Sequence, residues 1–121
     1  MQHSQGFLTL VNEARSRVRE ITIDEARARV KQDANVQLID VREDAEWLNG
    51  HAAGARHLGK GVIERDIEVQ VPDKSTELIL YCGSGYRSIL AADVLQKMGY
   101  TNVASMSGGW RSWRDAGAPT E

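Results

Sequence analysis

The sequence lacks the features of secreted and disulfide-rich proteins. Its 121 residues include one cysteine, two prolines and 6% aromatic residues. A single cysteine cannot close an intramolecular disulfide. The first thirty residues also lack the basic start, apolar run and small-residue cleavage site of a secretory signal. We therefore expect a reducing, cytoplasmic setting.

Positive charge and long apolar runs are also scarce. The 15 Lys and Arg are outnumbered by 17 Asp and Glu, so the formal charge of -2 offers nucleic acid and acidic membranes no general attraction. No apolar run approaches the roughly 18 residues of a membrane-spanning helix. Three scattered histidines and one cysteine show no zinc-ligand spacing. We expect a soluble protein with no metal, nucleic-acid or membrane partner.

The length and the 41% hydrophobic content predict one domain with one core, preceded by a leader helix. Residues 6–19 place apolar side chains near one side of a helix. We assign residues 1–20 to this leader, which would pack on its own domain or a sister subunit, and 21–121 to the main domain. There, Thr22 and Glu25 have capping-box spacing for a helix over about 23–31.

Short apolar runs predict the strands of an α/β fold. "VQLIDV" (36–41) and "ELILYC" (77–82) are typical of strands covered on both faces, "NVASM" (102–106) is weaker, and "ARHLG" near residue 57 adds a short fourth. Between the second and third lies "RSILAADVLQKMGY", a helical pattern that Gly99 would end. Strand-helix-strand units join parallel strands, so we expect a sheet with helices on both faces.

The last segment, "SGGWRSWRDAG", predicts a final helix. Ser107 can cap it, and Trp110 and Trp113 would lie on one face of it.

The lone cysteine lies where a parallel α/β sheet binds ligands. A cysteine on an apolar strand is by default a small buried hydrophobe, but Cys82 falls at a strand end that leads directly into the next helix. Gly83 and Gly85 allow the backbone to aim several N–H groups at one point. Those groups and the start of the helix near Arg87 favour an ionised sulfur. We interpret Cys82 as a thiolate nucleophile.

The other residues of this loop have polar side chains. Ser84 and Ser88 would offer hydroxyl donors, and Arg87 a cation suited to a sulfur oxyanion or a phosphate; the alternative is a polar turn and helix cap. Tyr86 would be a wall or lid of the pocket, or an exposed tyrosine without a role. Nothing places His51 or His57 beside Cys82, so we do not expect a Cys-His dyad.

Three ordered motifs resemble the rhodanese family of sulfurtransferases. "CGSGYRS" (82–88) is similar to its active-site loop, "LIDVREDAEWLNGHAAGARHL" (38–58) to its upstream signature and "MSGGWRSWRDAGAPT" (106–120) to its closing signature. The match spans roughly residues 20–119. It implies a rhodanese-like three-layer sandwich, in which a central, mostly parallel sheet of about four to five short strands has helices on both faces.

The resemblance also implies a mechanism and partners. Cys82 would take the outer sulfur of a small anion such as thiosulfate and hold it as a persulfide among the N–H groups of residues 83–88. A thiophilic acceptor (cyanide, a thiol or a thioredoxin-like protein) would then remove it, with no cofactor. The chain would act as a monomer or homodimer. Asp40 would order the loop, and Arg42 would either pair with an acid or face incoming anions.

Three alternatives remain open. Phosphatases and arsenate reductases related to rhodanese share the cysteine loop, but their signature has five residues between cysteine and arginine, whereas "GSGY" between Cys82 and Arg87 has four. Tyr81 also stands where those phosphatases usually have histidine. The second alternative is a non-catalytic module or a carrier that receives sulfur from a partner protein. The third is a thiol sensor, although the chain has no resolving cysteine.

Overall fold

A parallel five-stranded sheet between two helical layers forms the framework in the computed structural model, which describes residues 2–121. The strands are β1 Arg19–Ile21, β2 Gln37–Asp40, β3 Arg56–His57, β4 Leu78–Tyr81 and β5 Val103–Met106. The helices are α1 Gln5–Arg15, α2 Ile23–Gln32, α3 Asp44–Leu48, α4 Ile63–Gln70, α5 Arg87–Lys97 and α6 Gly109–Asp115. The order across the sheet is β1-β5-β4-β2-β3, and every pairing is parallel. The predicted fold class is confirmed.

Two apolar clusters cover the two faces of the sheet. Side chains alternate between faces along a strand, and in β4 Leu78 and Leu80 join the cluster that contains residues of α1, α4 and α5. Ile79 and Tyr81 join the cluster that contains residues of α2 and α6. All four residues are fully buried, which explains the continuous apolar run in the sequence.

Helix α1 packs against α5 through the first of these clusters. Val11 and Ala14 are buried there. Beyond the helix, the Arg17 guanidinium donates to both carboxylate oxygens of Asp93 at 2.9 and 2.8 Å. The Gln96 side-chain amide also donates to the Arg17 carbonyl oxygen at 2.8 Å. The N-terminal helix is therefore tied to the same domain by apolar and ionic contacts.

Two local predictions are confirmed. Thr22 and Glu25 form the reciprocal capping box, with both backbone-to-side-chain distances at 3.1 Å. Gly99 follows α5 with φ +103°, a conformation that side chains disfavour.

Three details differ from the predictions. The predicted leader helix is too long, because α1 ends at Arg15 and Arg19 begins β1, a three-residue edge strand with one buried residue. Such a short strand has no periodicity to detect. Helices α3 and α4 were not predicted. Ser107 does not cap α6; Gly108 takes the N-cap position with φ +79°, while the Ser107 N–H donates to Ile21 in the neighbouring strand.

The sheet brings the sequence motifs together at one edge. Because β2, β4 and β5 are parallel neighbours, the segments after Asp40, Tyr81 and Met106 leave the same edge. Helix α6 begins directly against the segment after β4, since the Trp110 N–H donates to the Cys82 carbonyl oxygen at 2.7 Å. No helix within residues 2–121 has the length and apolar character needed to cross a bilayer.

The close approach of α6 predicts a large effect of Gly109→Ala. A Cβ at Gly109 would overlap the carbonyl oxygen of Cys82. Gly117 also has positive φ, +72°, but a Cβ there would meet nothing within 4 Å. Gly117→Ala should therefore lower the free energy of unfolding by about 1 kcal/mol through backbone strain alone. Gly109→Ala should lower it by about 3 kcal/mol or more, because steric overlap adds to the strain.

Urea denaturation of both variants measures this difference. Equal decreases in the free energy of unfolding would show that α6 can move away from Cys82 without further destabilising the fold.

Candidate active site

The sulfur of Cys82 accepts hydrogen bonds from the loop that follows it. The N–H groups of Gly85 and Ser88 point at Sγ, at 3.2 and 3.4 Å. The Ser88 hydroxyl lies 3.5 Å from the same atom. Helix α5 begins after Tyr86, whose side chain makes no capping bond. The sulfur thus fills the acceptor position that an N-cap side chain usually occupies.

Glycine makes this curled loop possible at position 85. Gly85 has φ +98°, and a Cβ there would come within 3.1 Å of the Gly108 nitrogen. A side chain would therefore be strained and would also press on the start of α6. Of the predicted cradle, residues 83–88, the amides of Gly85 and Ser88 are the two that reach the sulfur.

Two buried hydroxyls, those of Ser88 and Ser105, lie beside the sulfur on the side of the sheet. The Oγ atoms of Ser88 and Ser105 are 2.7 Å apart, and both residues are fully buried. Ser105 lies in β5, the strand next to β4, so the sheet itself positions it. The result is a hydroxyl chain from Ser105 through Ser88 to Cys82.

The guanidinium of Arg87 is held by a carboxylate. Its Nη1 and Nη2 donate to the two oxygens of Glu46, in α3, at 2.7 and 2.9 Å. The hydrogen bonds from Arg87 lower the pKa of Glu46 to about 2, although partial burial opposes that shift. Arg87 was predicted to supply a cation for an anionic substrate, but its charge is balanced by Glu46 in this arrangement.

Arg42 forms a second, deeper ion pair with Asp40. Its Nη2 donates to Asp40 Oδ2 and to the Gly50 carbonyl oxygen, both at 2.7 Å. Its Nε lies 3.1 Å from both Asp40 oxygens, and its guanidinium carbon lies 4.9 Å from the centre of the Trp110 ring. Of the two roles considered for Arg42, this geometry matches the pairing with an acid. Arg42 does not line the cavity that contains Cys82.

Cys82 lies at the inner end of a cavity of about 820 Å³. Its own exposure is only 1%, so the cavity, and not the outer surface, gives access to it. The walls are formed by the N-terminal segment, α3, the cysteine loop and α6, through Gln2, His3, Ser4, Phe7, Glu43, Glu46, Gly83, Ser84, Tyr86, Arg87 and Arg111. On one wall the ring of Tyr86 contacts that of His3, with centroids 4.7 Å apart.

The two other histidines have partners away from the sulfur. His51 stacks on Trp47 at 3.4 Å between centroids, and its Nδ1 is 3.1 Å from the Trp47 carbonyl oxygen. His57 Nε2 is 2.8 Å from the Arg42 carbonyl oxygen. Neither forms a hydrogen bond with Cys82. Within residues 2–121, no cluster of three or more His, Cys, Asp or Glu side chains could hold a metal ion.

The family model for the rhodanese-like domain matches residues 22–116 of the chain. The chain belongs to the rhodanese-like family. The matched residues include α3, the cysteine loop and α6, but neither the N-terminal helix nor β1. The wall formed by residues 2–7 is therefore an addition to the part of the chain that the family model describes.

Relatives of this rhodanese-like domain carry sulfur-transfer names. The chain is 29% identical over 102 residues to YrkF of Bacillus subtilis, provisionally named a sulfur carrier protein. That match covers 84% of this chain and 54% of YrkF. The chain is also 32% identical over 88 residues to the thiosulfate sulfurtransferase GlpE of Stutzerimonas stutzeri. That match covers 73% of this chain and 79% of GlpE. The chain thus spans about half the length of the first relative.

A solved structure from Rhodopseudomonas palustris matches the whole chain. It is 32% identical, with a TM-score of 0.85, and the match covers 100% of this chain and 98% of that one. That protein is described as of unknown function and as a possible tyrosine phosphatase.

Sequence reasoning missed three residues of the site. Glu46 and Arg111 are separated from Cys82 by 36 and 29 positions, and only the parallel sheet brings them to one cavity. Ser105 left a signal, since a hydroxyl inside the otherwise apolar strand "VASM" needs a buried partner.

The Glu46–Arg87 pair predicts a pH-dependent stability. A carboxyl whose pKa falls from 4.5 to about 2 on folding stabilises the native state fully above pH 4.5 and loses that contribution as pH falls towards 2. Full protection would correspond to about 3 kcal/mol, but 38% of the Glu46 side chain is exposed, so screening reduces our expectation to about 1 kcal/mol for Glu46→Gln at pH 7.

Chemical denaturation between pH 7 and pH 2.5 tests this expectation. The gap between wild type and Glu46→Gln should narrow below pH 4.5. Asp44→Asn, in the same helix at a 95% exposed side chain, should change stability by less than about 0.5 kcal/mol. A gap that stays constant with pH would contradict an ionic origin.

Proposed function

We propose that the chain is a sulfurtransferase that carries a sulfane sulfur on Cys82. The observation that supports this most directly is the contact of Sγ with two loop N–H groups and one hydroxyl at the inner end of a cavity. Hydrogen bonds to a charged acceptor are stronger than bonds to a neutral one. These contacts would therefore stabilise the negative charge that Sγ carries when the persulfide bond breaks.

The proposed reaction has two displacement steps. Cys82 Sγ attacks the outer sulfur of thiosulfate, the sulfur–sulfur bond of the donor breaks, and sulfite leaves with the electron pair of that bond. The enzyme now holds a Cys82 persulfide. A nucleophilic acceptor then attacks the outer sulfur, and the pair of the persulfide bond returns to Sγ. No external oxidant or reductant is needed, and the kinetics should be ping-pong.

Cyanide, a small thiol or a thioredoxin-like protein would serve as the acceptor. The cavity of about 820 Å³ can admit small anions and thiols. The name of YrkF also supports a carrier role, in which a partner protein supplies the sulfur. In both cases Cys82 holds the persulfide, and the loop residues Gly83, Gly85 and Ser88 shape its surroundings.

The assignment of residues 1–20 as a leader to a 21–121 domain stays a prediction.

A phosphatase is the second candidate, since the Rhodopseudomonas palustris protein is described as a possible one. Two features favour sulfur transfer. The loop has four residues between Cys82 and Arg87, which gives fewer N–H groups for the oxygens of a phosphate. Both terminal nitrogens of Arg87 also donate hydrogen bonds to Glu46. Arg87 would have to break these bonds to bind phosphate.

Intact-protein mass spectrometry tests the proposal. After incubation with thiosulfate, the wild-type protein should gain the mass of one sulfur atom, and cyanide should remove it with formation of thiocyanate. Cys82→Ser should gain nothing. A wild-type protein that remains unmodified by thiosulfate but accepts sulfur from a persulfidated protein would indicate the carrier role.

Turnover of p-nitrophenyl phosphate is the matched assay for the second candidate. We expect none above the Cys82→Ser background. Phosphatase activity that depends on Cys82, without persulfide formation, would replace our proposal.

The hydroxyl beside the sulfur predicts a graded kinetic effect. Ser88 Oγ lies 3.5 Å from Sγ, whereas Ser84 lines the same cavity without a hydrogen bond to the sulfur. Loss of a hydrogen bond to a charged group costs about 1.5–3 kcal/mol. Persulfide formation by Ser88→Ala should therefore slow by about tenfold or more, while Ser84→Ala should change it less than about twofold.

Stopped-flow or quenched mass spectrometry gives both rates. Circular dichroism and urea denaturation confirm that each variant folds. Equal rates in the two variants would show that the Ser88 hydroxyl does not contribute to persulfide formation.

A further inference from the structure

The cavity above Cys82 contains two arginines, and only one of them is paired with an acid. Arg87 is held by both oxygens of Glu46. Arg111, on the wall formed by α6, has no ion-pair partner among residues 2–121. The cavity therefore offers an incoming anion one uncompensated guanidinium, and it is not the guanidinium of the cysteine loop.

The backbone fixes Arg111 beside the nucleophile. Its own N–H donates to the Gly83 carbonyl oxygen at 3.1 Å, and the preceding N–H, of Trp110, donates to the Cys82 carbonyl oxygen at 2.7 Å. Gly109 permits this approach, because any Cβ there would overlap the Cys82 carbonyl. The Cα of Arg111 is thus held against the first residues of the loop, while its exposed side chain remains free to turn towards a ligand in the cavity.

The acids of the cavity do not cancel this charge. Glu46 is committed to Arg87, and its other bond is to the Glu43 N–H. Glu43 also lines the cavity, at the N-cap of α3, and forms no ion pair with Arg111. A carboxylate at a helix start is stabilised in place by the N–H groups there. Neither acid that lines the cavity therefore forms an ion pair with Arg111.

We propose that Arg111 is the residue that binds the anionic end of the sulfur donor and so selects oxyanionic donors over neutral ones. This inference rests on the proposed sulfurtransferase function and names its substrate class. Arg111 would hold the sulfonate oxygens of thiosulfate, which become the oxygens of the departing sulfite, while Sγ reaches the outer sulfur. A guanidinium suits this task because its fork matches two oxygens of such a group.

Charge-selective alkylation tests the inference without sulfur transfer. Cys82 is the only cysteine, so its rates with anionic iodoacetate and neutral iodoacetamide can be measured on the whole protein. Arg111→Gln should lower the iodoacetate-to-iodoacetamide rate ratio about three- to tenfold, as expected for loss of one nearby charge. Arg111→Lys should restore most of it. High salt should reduce the wild-type ratio towards that of Arg111→Gln.

Arg114→Gln is the matched control. Arg114 lies in the same helix, pairs with Asp115 at 3.3 Å and does not line the cavity, so its removal should leave the ratio unchanged. A ratio that is equal in wild type and Arg111→Gln, or that falls equally in Arg114→Gln, would overturn the inference.

Steady-state kinetics then connect the charge to the donor. With thiosulfate, Arg111→Gln should raise KM about tenfold with kcat within about twofold, whereas the rate of alkylation of Cys82 by neutral iodoacetamide should be unaffected. A KM for thiosulfate that does not change would also overturn the inference. If the wild-type protein takes no sulfur from any donor, the proposed function fails, and the alkylation ratio still decides whether Arg111 attracts anions to Cys82.

Discussion

The N–H groups at the start of α5 need an acceptor, and the sulfur of Cys82 is the acceptor that the fold provides. Tyr86 offers no capping side chain, and the amides of Gly85 and Ser88 converge on Sγ instead. One contact therefore serves both the helix and the site: it satisfies backbone donors that would otherwise be buried without partners, and it surrounds the sulfur with hydrogen-bond donors. Replacement of Cys82 by a side chain without an acceptor would disturb the helix start as well as the chemistry.

Contacts from three neighbouring segments keep this loop in place. Glu46, after β2, holds Arg87 with two hydrogen bonds. Ser105, in β5, contacts the Ser88 hydroxyl. The start of α6 donates to the carbonyl oxygens of Cys82 and Gly83. Each contact comes from a different element, so the loop depends on the whole carboxyl edge of the sheet. Without these contacts, the entropic cost of ordering a curled loop with a glycine at positive φ would exceed the stabilisation from the loop's own hydrogen bonds.

The sequence predicted those parts of the molecule that depend on nearby residues. Four strands, the capping box of Thr22 and the glycine that ends α5 were found, because apolar runs and cap spacing are local signals. Strand β1 was missed because three edge residues carry no period. The cap of α6 was wrong because Ser107 is engaged by β1 across the sheet. The pairing of Arg87 with Glu46 was missed because strand order, which no local pattern encodes, decides which segments share an edge.

The paired and unpaired arginines separate two kinds of chemistry that this fold could host. A phosphate site needs its loop arginine directed at the ligand, where it can meet several oxygens at once. Here the loop arginine is directed at Glu46, and the uncompensated charge lies on α6. That division suits a donor that presents its outer sulfur to Cys82 and its sulfonate oxygens to a different wall. The same glycine that brings α6 against the Cys82 carbonyl sets the reach of Arg111, so steric fit in the fold determines where the anion is received.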